Sequence, residues 1–160
     1  MNCHDAALAA CAAGISSVPP AQDGTKRPDL KSWRRYQLDR ATAEELAAWY
    51  APPGRTGVGW VTGRVSGGLE VLDFDDRSTW AEYQTLCDGA GLASLLGRVV
   101  AGYCEHTPNG AHLAYRCSEI EGNQKLAQRL DKKALIETRG EGGYIIVAPS
   151  HGGVNLKGAY

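Results

Sequence analysis

Two aspartates one residue apart, Asp73 and Asp75, close the apolar run LEVLDFDD at residues 69–76. In a strand, side chains at i and i+2 leave the same face with Cα atoms roughly 6.5 Å apart, so the two carboxylates converge. Carboxylates so placed repel and resist joint ionisation unless a cation lies between them. An all-oxygen donor set suits a hard divalent ion such as Mg²⁺ or Mn²⁺. Phe74 points the other way, where it can anchor the strand. A D-x-D pair alone is also a common solvent-facing strand end or helix cap, and the adjacent Asp76 can simply help start a helix. Two further polar residues interrupt apolar strand patterns, His112 in TPNGAHLAYR and Glu137 in LIETRGEGGY. A lone strand histidine usually makes a structural hydrogen bond, and a lone glutamate usually pairs with Lys or Arg across strands. Three such exceptions in neighbouring β segments point instead to a shared site.

The elements that must position these residues are short. Residues 5–13 read as an Ala-rich helix with Asp5 as N-cap and Gly14 as stop, feeding a strand at residues 15–18 that ends at Pro19 and Pro20. Residues 21–32 lack an apolar period and read as a surface loop. Thr42 and Glu45 form a capping box for a helix carrying Leu46, Trp49 and Tyr50. Residues 57–63 and 69–75 are β-prone runs joined by a Gly-containing turn, which predicts an antiparallel hairpin. Ser78 is expected to cap a helix through about residue 87, with Trp80, Tyr83 and Leu86 on its buried face. Residues 98–103 and 111–117 around the turn at 107–110 suggest a second hairpin. Residues 134–138 and 143–148 suggest a third, around a glycine-rich turn that is either a plain hairpin connection or a place where backbone approaches a nucleotide. No repeat or low-complexity linker is present, and the ending at Tyr160 without a clean helix or strand suggests a fragment of a longer protein.

Length and composition bound the reading. A chain of 160 residues, 43% hydrophobic and 22% charged, suffices for one well-buried domain. No apolar run approaches the roughly 20 residues that span a bilayer, and no signal-peptide pattern opens the chain, so an intracellular, cytoplasmic protein with no membrane partner is expected. Five widely spaced cysteines with no C-x-x-C pair argue against a disulfide framework and against zinc; the Cys104-x-His106 pair has no second pair at zinc-site spacing. The net charge of −1 does not advertise nucleic-acid binding. Basic residues nonetheless cluster, with Lys26, Arg27, Lys31, Arg34, Arg35 and Arg40 in one stretch and Lys125, Arg129, Lys132 and Lys133 in another. Such runs are solvated faces or nucleic-acid tracks.

Taken together, AALAACAAGISSVPP, GTKRPDLKSW, GVGWVTGRVSGGLEVLDFDD, TPNGAHLAYR and ETRGEGGYIIVAPS resemble the archaeo-eukaryotic primase superfamily. The likeness is to its bifunctional primase/polymerase branch, found in phage and plasmid replication proteins. It implies an α+β fold of mixed or antiparallel sheets flanked by helices, with an RRM-like active-site sheet, over residues 1–160 as the N-terminal part of a longer replication protein. It further implies that Asp73, Asp75 and Glu137 bind two Mg²⁺ or Mn²⁺ ions while His112 meets the triphosphate of an incoming NTP or dNTP. Two metals about 3.5 to 4 Å apart can then stabilise both the attacking 3′-oxygen and the departing pyrophosphate. Arg139 and Arg116 are the candidate cations for the triphosphate, Arg139 first because it is spaced to share the strand face of Glu137. Ser150 and His151 resemble a family segment near the nucleotide pocket, and Lys26 lies in a family-like loop. The chain departs from the pattern at Gly110, where a serine is frequent, and at Glu137, where aspartate is frequent. Implied partners are a single-stranded DNA template, a primer, and a helicase in cis. A two-metal nuclease and a non-catalytic origin- or single-strand-binding initiator are the competing readings.

Overall fold

The computed structural model describes residues 1–160. Eight strands form two sheets, and every strand pair in them is antiparallel. The smaller sheet runs β1 (Ser16–Val18), β2 (Val58–Val61), β8 (Tyr144–Val147). The larger runs β4 (Tyr103–His106), β5 (Ala111–Arg116), β3 (Leu69–Phe74), β7 (Ala134–Arg139), β6 (Gln124–Gln128). Four helices flank them: α1 (Cys3–Ala12), α2 (Ala43–Tyr50), α3 (Arg77–Gly89) and α4 (Ala93–Gly102). The chain is therefore α+β.

The two-residue period of β3 divides the interior. Leu69 and Val71 join a cluster with Ala114, Val58, Val61, Val147 and the small side chains of α1, among them Ala6, Ala7 and Ala10. Phe74, on the opposite face, joins Ala111, Leu113 and Trp80 beneath α3 and α4, with Leu96 and Val99 of α4 against them. Asp73 and Asp75 fall on the first face, beyond the point where its apolar filling ends.

Several expected connections are rearranged. Residues 57–63 and 69–75 do not form a hairpin: β2 and β3 belong to different sheets, and the only backbone pairing between the two segments is one bridge between Gly63 and Leu69. Gly63 has φ 108°, which breaks the strand, and a short 3-10 turn at Arg64–Ser66 redirects the chain. Ser66 fills the corner, its hydroxyl accepting from Ser16 N and donating to Val61 O. Likewise β7 and β8 separate into the two sheets, and β7 pairs instead with β3 and with β6, a strand its polar sequence conceals. The glycine-rich segment between them turns against protein: a Cβ on Gly143 would lie 2.5 Å from Thr62 Oγ1. The segment expected to begin a strand at residue 98 is the end of α4, an amphipathic helix whose strand continuation starts at Tyr103. The caps also differ. Asn2 caps α1 through Asp5 N, and Asp76 caps α3 through Thr79 N, displacing Asp5 and Ser78 from those roles.

Candidate active site

The register of the large sheet aligns one residue from each of its five strands. Glu105 lies opposite His112, His112 opposite Asp73, Asp73 opposite Glu137, and Glu137 opposite Lys125. Cross-strand partners point to the same side, so one rung of the sheet is ionisable from edge to edge. Arg139, two residues along β7 from Glu137, and Asp75, two along from Asp73, share that face. Asp75 continues the β3 pairing, its N–H donating to Leu135 O.

His112 is 5% exposed and lies between two carboxylates. Its Nδ1 is 2.7 Å from Glu105 Oε1, and its Nε2 is 3.4 Å from Asp73 Oδ1. Burial alone would lower its pKa, but the bonds to Asp73 and Glu105 and their charges outweigh it and raise the imidazole to about 9. The ring is therefore a cation at neutral pH. Glu105 is itself held, its Oε2 accepting from Tyr103 OH and Ala148 N, each at 2.8 Å. That second contact ties the rung to the end of β8. Nothing in the sequence marks Glu105. Its signal is its position opposite His112, which becomes visible once the hairpin register is known.

On the other side of Asp73, Arg139 Nη2 lies 3.0 Å from Asp73 Oδ2 and 2.8 Å from Glu137 Oε2. One guanidinium thus neutralises both acids. Burial tends to raise the Asp73 carboxyl, yet His112 and Arg139 together hold it below the ordinary carboxylate range. Asp75 moves the opposite way, raised first by partial burial and then by the negative charges of Asp73 and Glu137. Asp73 and Glu137 thus meet through Arg139, while Asp75 is in no ion pair.

A cleft of about 260 Å³ opens over this face, lined by Asp73, Asp75, His112, Arg139, Lys26 and Tyr160 among others. Tyr160 stacks on the His112 ring at 6.0 Å between centroids, and Lys26 Nζ lies 5.6 Å from the Tyr160 ring. Lys26 sits at φ 61°, a conformation uncommon outside glycine. A larger cavity of about 490 Å³ beside α1 is lined almost wholly by apolar residues such as Ile15, Leu69 and Ala114 and offers no acid.

Three expected site residues do not join the group. Arg116 is at the far end of β5, where its guanidinium donates to the carbonyls of Ser66, Gly67 and Ala13. Ser150 is fully buried, its hydroxyl accepting from Val58 N at 2.8 Å and held against the carbonyls of Val58 and Val147. It stitches the start of β2 to the end of β8 and is not among the cleft residues. His151 is exposed, with Nδ1 2.9 Å from Pro149 O, and is not among the cleft residues. Gly110 cannot be exchanged for the serine of the family pattern without moving the hairpin, because a Cβ there would lie 1.9 Å from Phe74 O.

The expected donors Asp73, Asp75 and Glu137 are all carboxylates, a donor chemistry that fits Mg²⁺ or Mn²⁺ and not a soft metal. As the side chains stand, no three of the His, Cys, Asp and Glu residues form a group arranged to hold a metal ion. Arg139 occupies the space between two of the three, so a cation is already in that position and would have to give way.

The chain matches the family described as bifunctional DNA primase/polymerase, N-terminal, over residues 7–160. That covers essentially its whole length, and the chain belongs to this family. Among curated proteins none matches it.

Proposed function

We propose that this chain is a primase/polymerase core that joins nucleotides to a primer on the face carrying Asp73, Asp75 and Glu137. Family membership supports DNA primase/polymerase activity. The observation that carries the placement is the rung on which His112, Asp73 and Glu137 stand side by side, with Asp75 one step toward solvent. Mg²⁺ or Mn²⁺ held by Asp73, Asp75 and Glu137 would supply Lewis-acid stabilisation of charge on the reacting oxygens.

The protein's own groups have distinct tasks. His112, a buried cation, presents Nε2 toward the cleft and offsets negative charge on the triphosphate. Glu105 keeps the imidazole turned that way by occupying Nδ1. Arg139, on leaving the carboxylates, is free to pair with a phosphate oxygen, and Lys26 faces the same cleft. The primer 3′-oxygen attacks the α-phosphorus, the bond to the pyrophosphate oxygen breaks, and the hydroxyl proton passes to Asp75 at the solvent edge. Replication of a phage or plasmid, a helicase further along the full-length chain, and a cytoplasmic setting extend this reading from the family resemblance. No helix is long and apolar enough to cross a membrane.

Primer extension on a DNA template with Mn²⁺ and either dNTPs or NTPs tests the assignment. The wild-type protein should lengthen the primer, and Asp73→Asn should slow it by about 10²-fold or more, the scale of removing one electrostatic stabiliser of a transition state. Shortening of the primer without growth would support the nuclease reading. Equal extension by the variant would remove the carboxylate site from the reaction.

A further inference from the structure

The second basic cluster lies on the ribbon formed by β6 and β7. Residues 124–133, QKLAQRLDKK, contain Lys125, Arg129, Lys132 and Lys133 against the single acid Asp131, in a chain whose net charge is −1. Lys125 faces Glu137 across the ribbon, so the ionisable rung ends at the sheet edge in a cation. Neither Lys125 nor Lys132 is in any of the ion pairs, and Lys133 reaches only its neighbour Asp131, at 3.6 Å. Arg129 alone is engaged: it bonds Asp76 at 2.8 Å, the residue that caps α3 and follows Asp75 in the chain. That bond fixes the ribbon beside the end of β3 where the carboxylates stand.

Two local features set these lysines apart from a generic solvated face. A bulge falls between Lys125 and Ala127, an irregularity that bends an edge strand and re-aims its side chains, and that recurs beside active sites. At the tip, Lys132 adopts φ 66°, in the left-handed region that glycine or asparagine takes more readily. Only two residues other than glycine have positive φ in this chain; both are lysines, and the other is Lys26 in the cleft. Leu126 and Leu130 stand exposed between the cations at 53% and 105%, apolar surface suited to sugars and bases next to phosphates.

We infer that the β6–β7 ribbon is a phosphate track for the nucleic-acid strand entering or leaving the carboxylate cleft. The assignment of that strand as primer or template rests on the nucleotidyl-transfer function; the binding itself does not. Lys125 and Lys132, which are in no ion pair, and Lys133, paired only with its neighbour Asp131, match a polyanionic backbone. An acidic protein segment would need no continuity with the cleft.

Fluorescence anisotropy of the 160-residue protein with a fluorescein-labelled primer–template DNA, repeated from low to moderate KCl, tests this. Each phosphate that a variant no longer neutralises lowers the slope of log affinity against log salt by about one. The triple variant Lys125→Ala, Lys132→Ala, Lys133→Ala should bind about tenfold or more weakly at low salt, with its slope reduced by about two to three. Lys132→Gly relieves the backbone and should melt no lower than wild type, yet reduce the slope by about one. An unchanged slope in the triple variant overturns the track and leaves those cations for an acidic protein. Slope is read without catalysis, so a chain that binds with the expected slope but extends no primer would sink the activity and leave the track standing.

Discussion

His112 is gripped by carboxylates on both sides, and this decides its behaviour. Folding raises the imidazole from its ordinary 6.5 to about 9. The stability it contributes is complete below about pH 6.5 and is lost as pH rises through about 9. Thermal melts should therefore show a falling melting temperature on the alkaline side. Glu105→Gln keeps the side chain's size but removes one of the two charges, so the alkaline loss should begin at lower pH. The same variant should raise the nucleotide KM by roughly tenfold, the scale of one charge-assisted hydrogen bond, with primer–template affinity unaltered. A variant whose KM and alkaline melt both match wild type would show that Glu105 does not position the ring.

At the scale of elements, the sheet register converts three separate motifs into one surface. The sequence carries the acids and the histidine legibly, because polar residues inside apolar two-residue periods stand out. It conceals which strands are neighbours. Residues 57–63 and 69–75 look like a hairpin from their turn glycines, but Gly63 sends them to separate sheets. β6 is illegible because an exposed edge strand with a single, half-buried neighbour needs no apolar alternation. The end of α4 reads as a strand because Val99 and Val100 are β-prone, and only the wider spacing of Leu92, Leu96 and Val99 marks the helix. Ser150 shows the converse error, a family-like residue whose hydroxyl is committed to the join between β2 and β8. Ser150→Ala would leave Val58 N–H buried without a partner and should cost about 1–3 kcal/mol in chemical denaturation. Its nucleotide KM should not move. A large rise in KM at unchanged stability would return Ser150 to the nucleotide site.

Across the whole molecule, charge is segregated in a way that the net value of −1 hides. Glu105, Asp73, Asp75 and Glu137 are gathered on one face of one sheet, offset by His112, Arg139 and Lys26, while uncommitted lysines lie at the sheet edge. A triphosphate entering a cleft lined by Asp73 and Asp75, with Glu105 and Glu137 on the same sheet face, is repelled unless cations accompany it or are released to meet it. On the proposed function, Arg139 is the internal cation that would be released, and divalent ions are the external ones that would replace it between the carboxylates. Titration of the nucleotide-free protein with Mn²⁺, following free Mn²⁺ by electron paramagnetic resonance, reads this exchange directly. Wild-type protein should bind Mn²⁺, and Asp73→Asn, Asp75→Asn and Glu137→Gln should each weaken that binding by at least about tenfold. Mn²⁺ binding by Glu137→Gln indistinguishable from wild type would contradict a site shared by all three acids.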